Sequence, residues 1–138
     1  MSRSLSDLTP FFRAQVVEFL ARLVEAQIPV MVVDTLRTPE EQKENLLKGV
    51  SWTSKSKHLP NSVDGKAQAV DICPYDEFRI RGMDKLYWQT HDSDGNLLPV
   101  WKQIGEIGES CGLEWGGRWP NNPPKSRPDY GHFQLNES

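Results

Sequence analysis

The stretch Ala67-Gln68-Ala69-Val70-Asp71-Ile72 sets one carboxylate inside a run that otherwise reads as a buried strand. A strand of that kind holds its carboxylate rigidly, so a fold that uses Asp71 must bring the rest of a site to it. An aspartate closing an apolar run is ordinarily a cap or a turn former. Whether Asp71 does more depends on what the chain can place beside it.

The supply is small. The chain has only three histidines, His58, His91 and His132, and two of these sit next to polar or acidic residues at what read as element ends. A mononuclear catalytic zinc uses three protein ligands of His and carboxylate type and keeps a fourth position open for water. His58, Asp71 and His132 supply that count. Asp129, just upstream of His132 in Asp129-Tyr130-Gly131-His132, is then free to act as a base beside the metal. Taken singly, a loop histidine is most often a solvated surface residue.

As an ordered set, these residues resemble a known family. Ser56-Lys57-His58, then Ala69-Val70-Asp71, then Asp129-Tyr130-Gly131-His132 near the C-terminus is similar to the M15-type zinc peptidases that cut D-amino-acid-containing cell-wall peptides. That family includes D-alanyl-D-alanine carboxypeptidases and dipeptidases and the phage L-alanyl-D-glutamate endolysins. The resemblance runs from about Val32 to the end. It takes in Arg37-Thr38, Gln42 and Trp115-Gly116-Gly117. One departure is the spacer between His58 and Asp71, which is longer than the family's compact form. The extra residues, Asn61 to Lys66 among them, must form a loop that leaves the two ligands adjacent. Asp64 is a weaker rival ligand, because Asp64-Gly65 reads as a turn.

The resemblance implies Zn2+ as cofactor, with His58, Asp71 and His132 as ligands and Asp129 as base. It also implies that Arg37 meets a substrate carboxylate or a developing oxyanion, with Ser56, Gln42 and Trp115 holding substrate. The implied activity is hydrolysis of the L-alanyl-D-glutamate bond of peptidoglycan stem peptides. The alternatives are a D-alanyl-D-alanine carboxypeptidase and, from another class, an inactive cell-wall-binding module.

Composition excludes other partners. With 16 basic and 19 acidic residues, the net charge of −3 offers no footprint for nucleic acid and no polybasic membrane tether. The opening Met1-Ser2-Arg3-Ser4-Leu5-Ser6-Asp7 lacks a signal-peptide core, and no apolar run reaches the roughly 20 residues of a membrane span. The expectation is a monomer made in a host cytoplasm and acting on the wall once the membrane is opened. Cys73 and Cys111 read as small apolar core residues rather than a disulfide framework.

The spacing of Phe12, Val16, Phe19, Leu20 and Leu23 predicts a helix over Pro10 to Ala26, capped by the Thr9 hydroxyl. Val30-Met31-Val32-Val33 predicts a short strand that delivers Arg37 at its exit. Thr38-Pro39-Glu40-Glu41 is a capping box, so a second helix starts at Pro39 and stops near Gly49. Residues 50–66 read as a loop carrying His58 toward the site, and 76–89 carry no clear assignment. His91-Asp92-Ser93-Asp94-Gly95-Asn96 reads as a turn, lacking the distal glutamate of a calcium loop. Pro99 starts a third helix with Val100, Trp101, Ile104, Ile107 and Cys111 inward, ending at Gly112. Trp115-Gly116-Gly117-Arg118-Trp119 allows close backbone approach, its tryptophans lining a groove or closing the core edge. Pro120 to Pro128 reads as a stiff surface loop and His132-Phe133-Gln134-Leu135 as a last strand. The fold class expected is α+β: about three helices packed on a small, mainly antiparallel sheet with the zinc site on one face, all of 1–138 forming one zinc peptidase catalytic domain.

Overall fold

The structure is a computed structural model, and it describes residues 2–48, 56–75 and 86–137. Parts of the loop expected over 50–66 and of the unassigned stretch 76–89 lie outside the described residues. Among the described residues, three α-helices, α1 (Pro10–Glu25), α2 (Pro39–Leu47) and α3 (Pro99–Ser110), accompany four strands, β1 (Val30–Asp34), β2 (Ala69–Pro74), β3 (Leu113–Trp115) and β4 (His132–Leu135). The strands form one antiparallel sheet in the order β1-β2-β4-β3. This is the expected α+β arrangement.

Helix α1 forms where the apolar stripe predicts it, and Phe12, Val16, Phe19 and Leu23 are fully buried. Each such side chain contributes about 1.5–3 kcal/mol of transfer free energy. The Thr9 hydroxyl makes no capping hydrogen bond. The helix start is steered by backbone pairing instead: Thr9 N–H donates to the Ala67 carbonyl (3.0 Å) and Ala67 N–H to that of Asp7 (2.9 Å). That pairing ties the head of α1 to the segment entering β2.

Helix α3 turns the expected residues toward the core and adds two glycines to them. Trp101 and Ile104 are buried, Gly105 and Gly108 are buried beside them, and Val100, Ile107 and Cys111 are partly buried. The glycines are there because the sheet's aromatics press on the helix backbone. A Cβ on Gly105 would lie 2.3 Å from the Trp115 ring, and one on Gly108 would lie 2.4 Å from the Phe133 ring.

Strand alternation sorts the sheet into two faces. Val70, Ile72, Phe133, Leu113 and Trp115 join the core formed with α1 and α3. Asp71 pairs with His132 across β2 and β4, and Glu114 pairs with Gln134 across β3 and β4, so these four share the opposite face. An irregularity between Val32 and Asp34 shifts the β1 register so that Asp34, not Val33, stands opposite Asp71. A bulge of this kind re-aims a side chain, and here it puts a second carboxylate on the polar face.

Cys73 and Cys111 are free thiols. Burial pushes Cys73 up to about 12, so it stays protonated and packs as a small apolar residue. Among the described residues no helix is long and apolar enough to cross a membrane.

Candidate metal centre and active site

His58 is fixed before any metal is considered. Ser56 Oγ accepts from His58 N–H (3.1 Å), Arg37 N–H donates to the His58 carbonyl (2.8 Å), and Gln68 N–H to that of Lys57 (2.9 Å). The exit of β1 and the entry to β2 therefore clamp the His58 turn between them. The ring is 1% exposed as a residue and its Nδ1 lies 2.6 Å from the Thr35 carbonyl. A carbonyl only accepts, so Nδ1 carries the proton and Nε2 is left with a lone pair. That Nε2 is buried, 3.1 Å from Asp71 Oδ1, and makes no hydrogen bond.

The third member comes from β4. His132 Nδ1 lies 2.9 Å from the same Asp71 oxygen, and its ring centroid is 5.2 Å from that of His58. One ligand atom from each of His58, Asp71 and His132 falls within 4.8 Å of the others. The three residues expected as ligands are thus one cluster, assembled from a loop and two adjacent strands. Two imidazole nitrogens and one carboxylate oxygen suit zinc better than calcium or magnesium, which take all-oxygen shells. An orphaned nitrogen lone pair facing a carboxylate is a contact that a cation between them resolves, so the residues fit the group.

Asp64 lies in a turn of its own. Its carboxylate accepts from Asn61 Nδ2 (2.6 Å) and Lys66 N–H (3.0 Å), and Asn61 N–H closes on the Lys66 carbonyl (3.0 Å). The extra residues between His58 and Asp71 accordingly leave and return at one point, with Gly65 in the left-handed region at φ 70°.

Electrostatics follow from this crowding. Burial alone would raise Asp71, but the neighbouring imidazoles of His58 and His132, with a hydrogen bond from His132, outweigh it and hold the carboxylate well below its ordinary range. Burial would lower His132, yet Asp71, with Asp129 behind it, moves it above the usual imidazole value. Asp129 is an exposed residue whose carboxyl lies within electrostatic reach of Asp71, His132 and His58. Desolvation first and the negative charge of Asp71 second push it up, against the pull of His132 and His58.

Asp129 reaches this place through two glycines. A Cβ on Gly116 would lie 2.5 Å from the Asp129 carbonyl and 3.1 Å from His132 Cβ, and one on Gly131 would lie 2.5 Å from the Ile72 carbonyl. Asp129 N–H donates to the Gly116 carbonyl (2.9 Å), which locks the approach.

The remaining expected residues fall into two groups. Arg37 is at the site: its Nε and Nη2 bond Asp34, Nη1 bonds Gln42 Oε1, and Nη2 is 3.7 Å from Asp71 Oδ2. Gln42 and Ser56 touch other site residues, Gln42 buried at 2% exposure against Arg37 and Ser56 capping the His58 turn. Trp115 is apart from them. It is 3% exposed in the core, with its indole N–H donated to the Tyr130 carbonyl (2.8 Å), so it lines no groove. The tryptophan beside the site is Trp119, whose ring centroid is 4.9 Å from that of His132.

The family model for D-alanyl-D-alanine carboxypeptidase, an M15 peptidase model, matches residues 49–135. The chain belongs to the M15 peptidases. It is 30% identical over 112 residues to the L-alanyl-D-glutamate peptidase of Listeria phage A118, a match covering 79% of this chain but 31% of the phage protein. The chain therefore spans about a third of that relative's length. To the peptidoglycan L-alanyl-D-glutamate endopeptidase CwlK of Bacillus subtilis strain 168 it is 24% identical, over 94% of this chain and 74% of that one. The Serratia marcescens L-Ala D-Glu endopeptidase ChiX shares the fold with a TM-score of 0.66 at 24% identity, over 98% of this chain and 87% of that chain. The LdcB LD-carboxypeptidase shares it at 0.55 and 13%, over 93% of this chain and 58% of that chain.

Three residues of the site were not anticipated from sequence: Asp34, Gln134 and Glu114. Asp34 carries the same signature that singled out Asp71, a carboxylate at the end of an apolar run. Gln134 lies on the same strand face as His132 by the period of two.

Proposed function

We propose that this chain is a zinc-dependent peptidoglycan endopeptidase that hydrolyses the L-alanyl-D-glutamate bond of stem peptides. The observation that carries the reading is the cluster of His58, Asp71 and His132 with the Asp129 carboxyl beside it, in a chain whose family and curated relatives are peptidases. His58 through Nε2, Asp71 through its carboxylate and His132 would hold the metal. When bound, zinc supplies Lewis-acid polarisation of a carbonyl and lowers the pKa of a coordinated water from about 15.7 to about 7.

The chain's own residues do the rest. Asp129 takes a proton from the attacking water at its carboxylate and returns it to the leaving amine, a role helped by surroundings that raise its proton affinity. Arg37, held by Asp34 and Gln42, keeps a guanidinium beside the charge that develops on the scissile carbonyl. Ser56 shapes the turn that presents His58. The protein acts as a monomer on the wall after the membrane is opened, consistent with a phage lysis role.

The test uses a muropeptide whose stem has already lost its terminal D-alanine. Release of fragments ending in L-alanine, with D-glutamate newly N-terminal, is expected. Inactivity on it together with release of D-alanine from intact pentapeptide would replace this reading with the carboxypeptidase one.

A further inference from the structure

A backbone carbonyl fixes the ring of His58, whereas the ring of His132 meets side chains. What meets its far side is a row of side chains. His132 Nε2 lies 2.9 Å from Gln134 Oε1, Gln134 Nε2 lies 2.8 Å from Glu114 Oε2, and the same oxygen accepts the Trp119 indole N–H at 3.1 Å. One cross-strand register and the period of one strand build this row: Glu114 stands opposite Gln134, and His132 is two residues from Gln134 on the same face of β4.

The chemistry of the row has one direction. A carboxylate only accepts, so Glu114 draws the amide N–H2 of Gln134 toward itself and turns the Gln134 carbonyl to His132. That carbonyl also only accepts, so Nε2 of His132 must donate. The nitrogen that can yield its proton to a bound metal is then Nδ1, 2.9 Å from Asp71 Oδ1. His58 reaches the same result by the opposite choice of atoms, with Nδ1 as donor and Nε2 as lone pair.

We propose that Gln134, oriented by Glu114, is a positioning residue that fixes His132 for ligation through Nδ1, and that Trp119 is tied to the metal centre by the same Glu114 oxygen. This rests on the reading of the cluster as a zinc site. Outer partners of metal-bound histidines fix tautomer and ring orientation, and losing one costs about 10- to 100-fold in metal affinity.

The experiment measures zinc affinity of the purified full chain by chelator competition and the protonation of His132 by long-range proton–nitrogen correlation in the zinc-loaded protein. Wild type is expected to carry the His132 proton on Nε2, with Nδ1 unprotonated. Gln134→Leu removes the acceptor at similar volume and should weaken zinc about 10- to 100-fold. The exchanged pair Glu114→Gln with Gln134→Glu rebuilds a donor facing an acceptor and keeps an oxygen for Trp119, so it should recover most of that affinity. Coordination through Nε2, an unchanged affinity in Gln134→Leu, or no recovery in the exchanged pair would overturn the proposal. A wild-type chain that binds no zinc would instead overturn the functional reading beneath it.

Discussion

On the sheet face turned to α1 and α3, Val70, Ile72, Phe133, Leu113 and Trp115 are each at most 3% exposed. One residue along from them, on the same strands, stand Asp71, His132, Gln134 and Glu114, with Asp34 joining from β1 opposite Asp71. The first set is held by area and shape, so its contributions are spread over many weak contacts. The second is held partner by partner, and removing one member leaves another buried group unmet. The apolar face should therefore govern whether the chain folds, and the polar face what the folded chain can do.

Replacing Asp129 by Asn is the strongest way to separate the two. The residue touches the site and not the core, so activity should drop about 10²- to 10⁴-fold, the usual worth of a general base. Stability and zinc content should stay at wild-type levels, which denaturant melts and elemental analysis would check. A collapse of stability would mean that the polar face helps hold the fold.

Phe133→Ala is the converse. The ring is fully buried, 4.6 Å from that of Phe19, and sits one residue from His132 with its side chain on the other face. A loss of about 3–5 kcal/mol of stability is expected. At temperatures where the variant is still folded, zinc affinity should be close to wild type. A parallel fall in both would show that the strand transmits core damage to the site.

Gly105→Ala probes the seam between helix and sheet. Helix propensity favours alanine by about 1 kcal/mol. Against that, the added Cβ meets three atoms of the Trp115 ring at 2.3–2.4 Å. The ring cannot retreat without giving up its hydrogen bond to Tyr130, so overpacking should win by about 1–2 kcal/mol. A stabilised variant, read from the shift in melting midpoint, would show that Trp115 moves more freely than its contacts suggest.

The apolar face was the more legible from sequence, because its signal is periodic. The α1 stripe, the β-branched β1 run and the His132-Phe133-Gln134-Leu135 strand all carry a repeat that short-range reading detects. Gly105 and Gly108 broke the pattern on α3, since the reason for a small residue there is an aromatic ring from a distant strand. On the polar face, the residue types suited to metal ligation were few enough to single out. Their supports were not, because the Thr35 carbonyl has no side-chain signature and Glu114 pairs with Gln134 only once β3 and β4 are aligned. Trp115 and Trp119 show the same limit. The resemblance singled out Trp115 as the one to hold substrate, and only the fold put Trp115 in the core and Trp119 against His132.

The smallest effect tests where the polar face ends. Thr38 Oγ1 accepts from Glu41 N–H and the Glu41 carboxylate accepts from Thr38 N–H, both at 3.1 Å, so the box pins the start of α2 immediately after Arg37. Thr38→Ala should cost about 1 kcal/mol of stability. None of His58, Asp71 and His132, the proposed ligands, is on α2, so zinc affinity should not change. Gln42, which grips Arg37, does lie on α2, and a loosened helix start should show as a lowered kcat/KM that Thr38→Ser restores by returning the hydroxyl. If zinc affinity falls with kcat/KM, the metal centre depends on α2 through Arg37 and Asp71. If neither moves while stability drops, Arg37 is held firmly by Asp34 alone, and the working face stops at the end of β1.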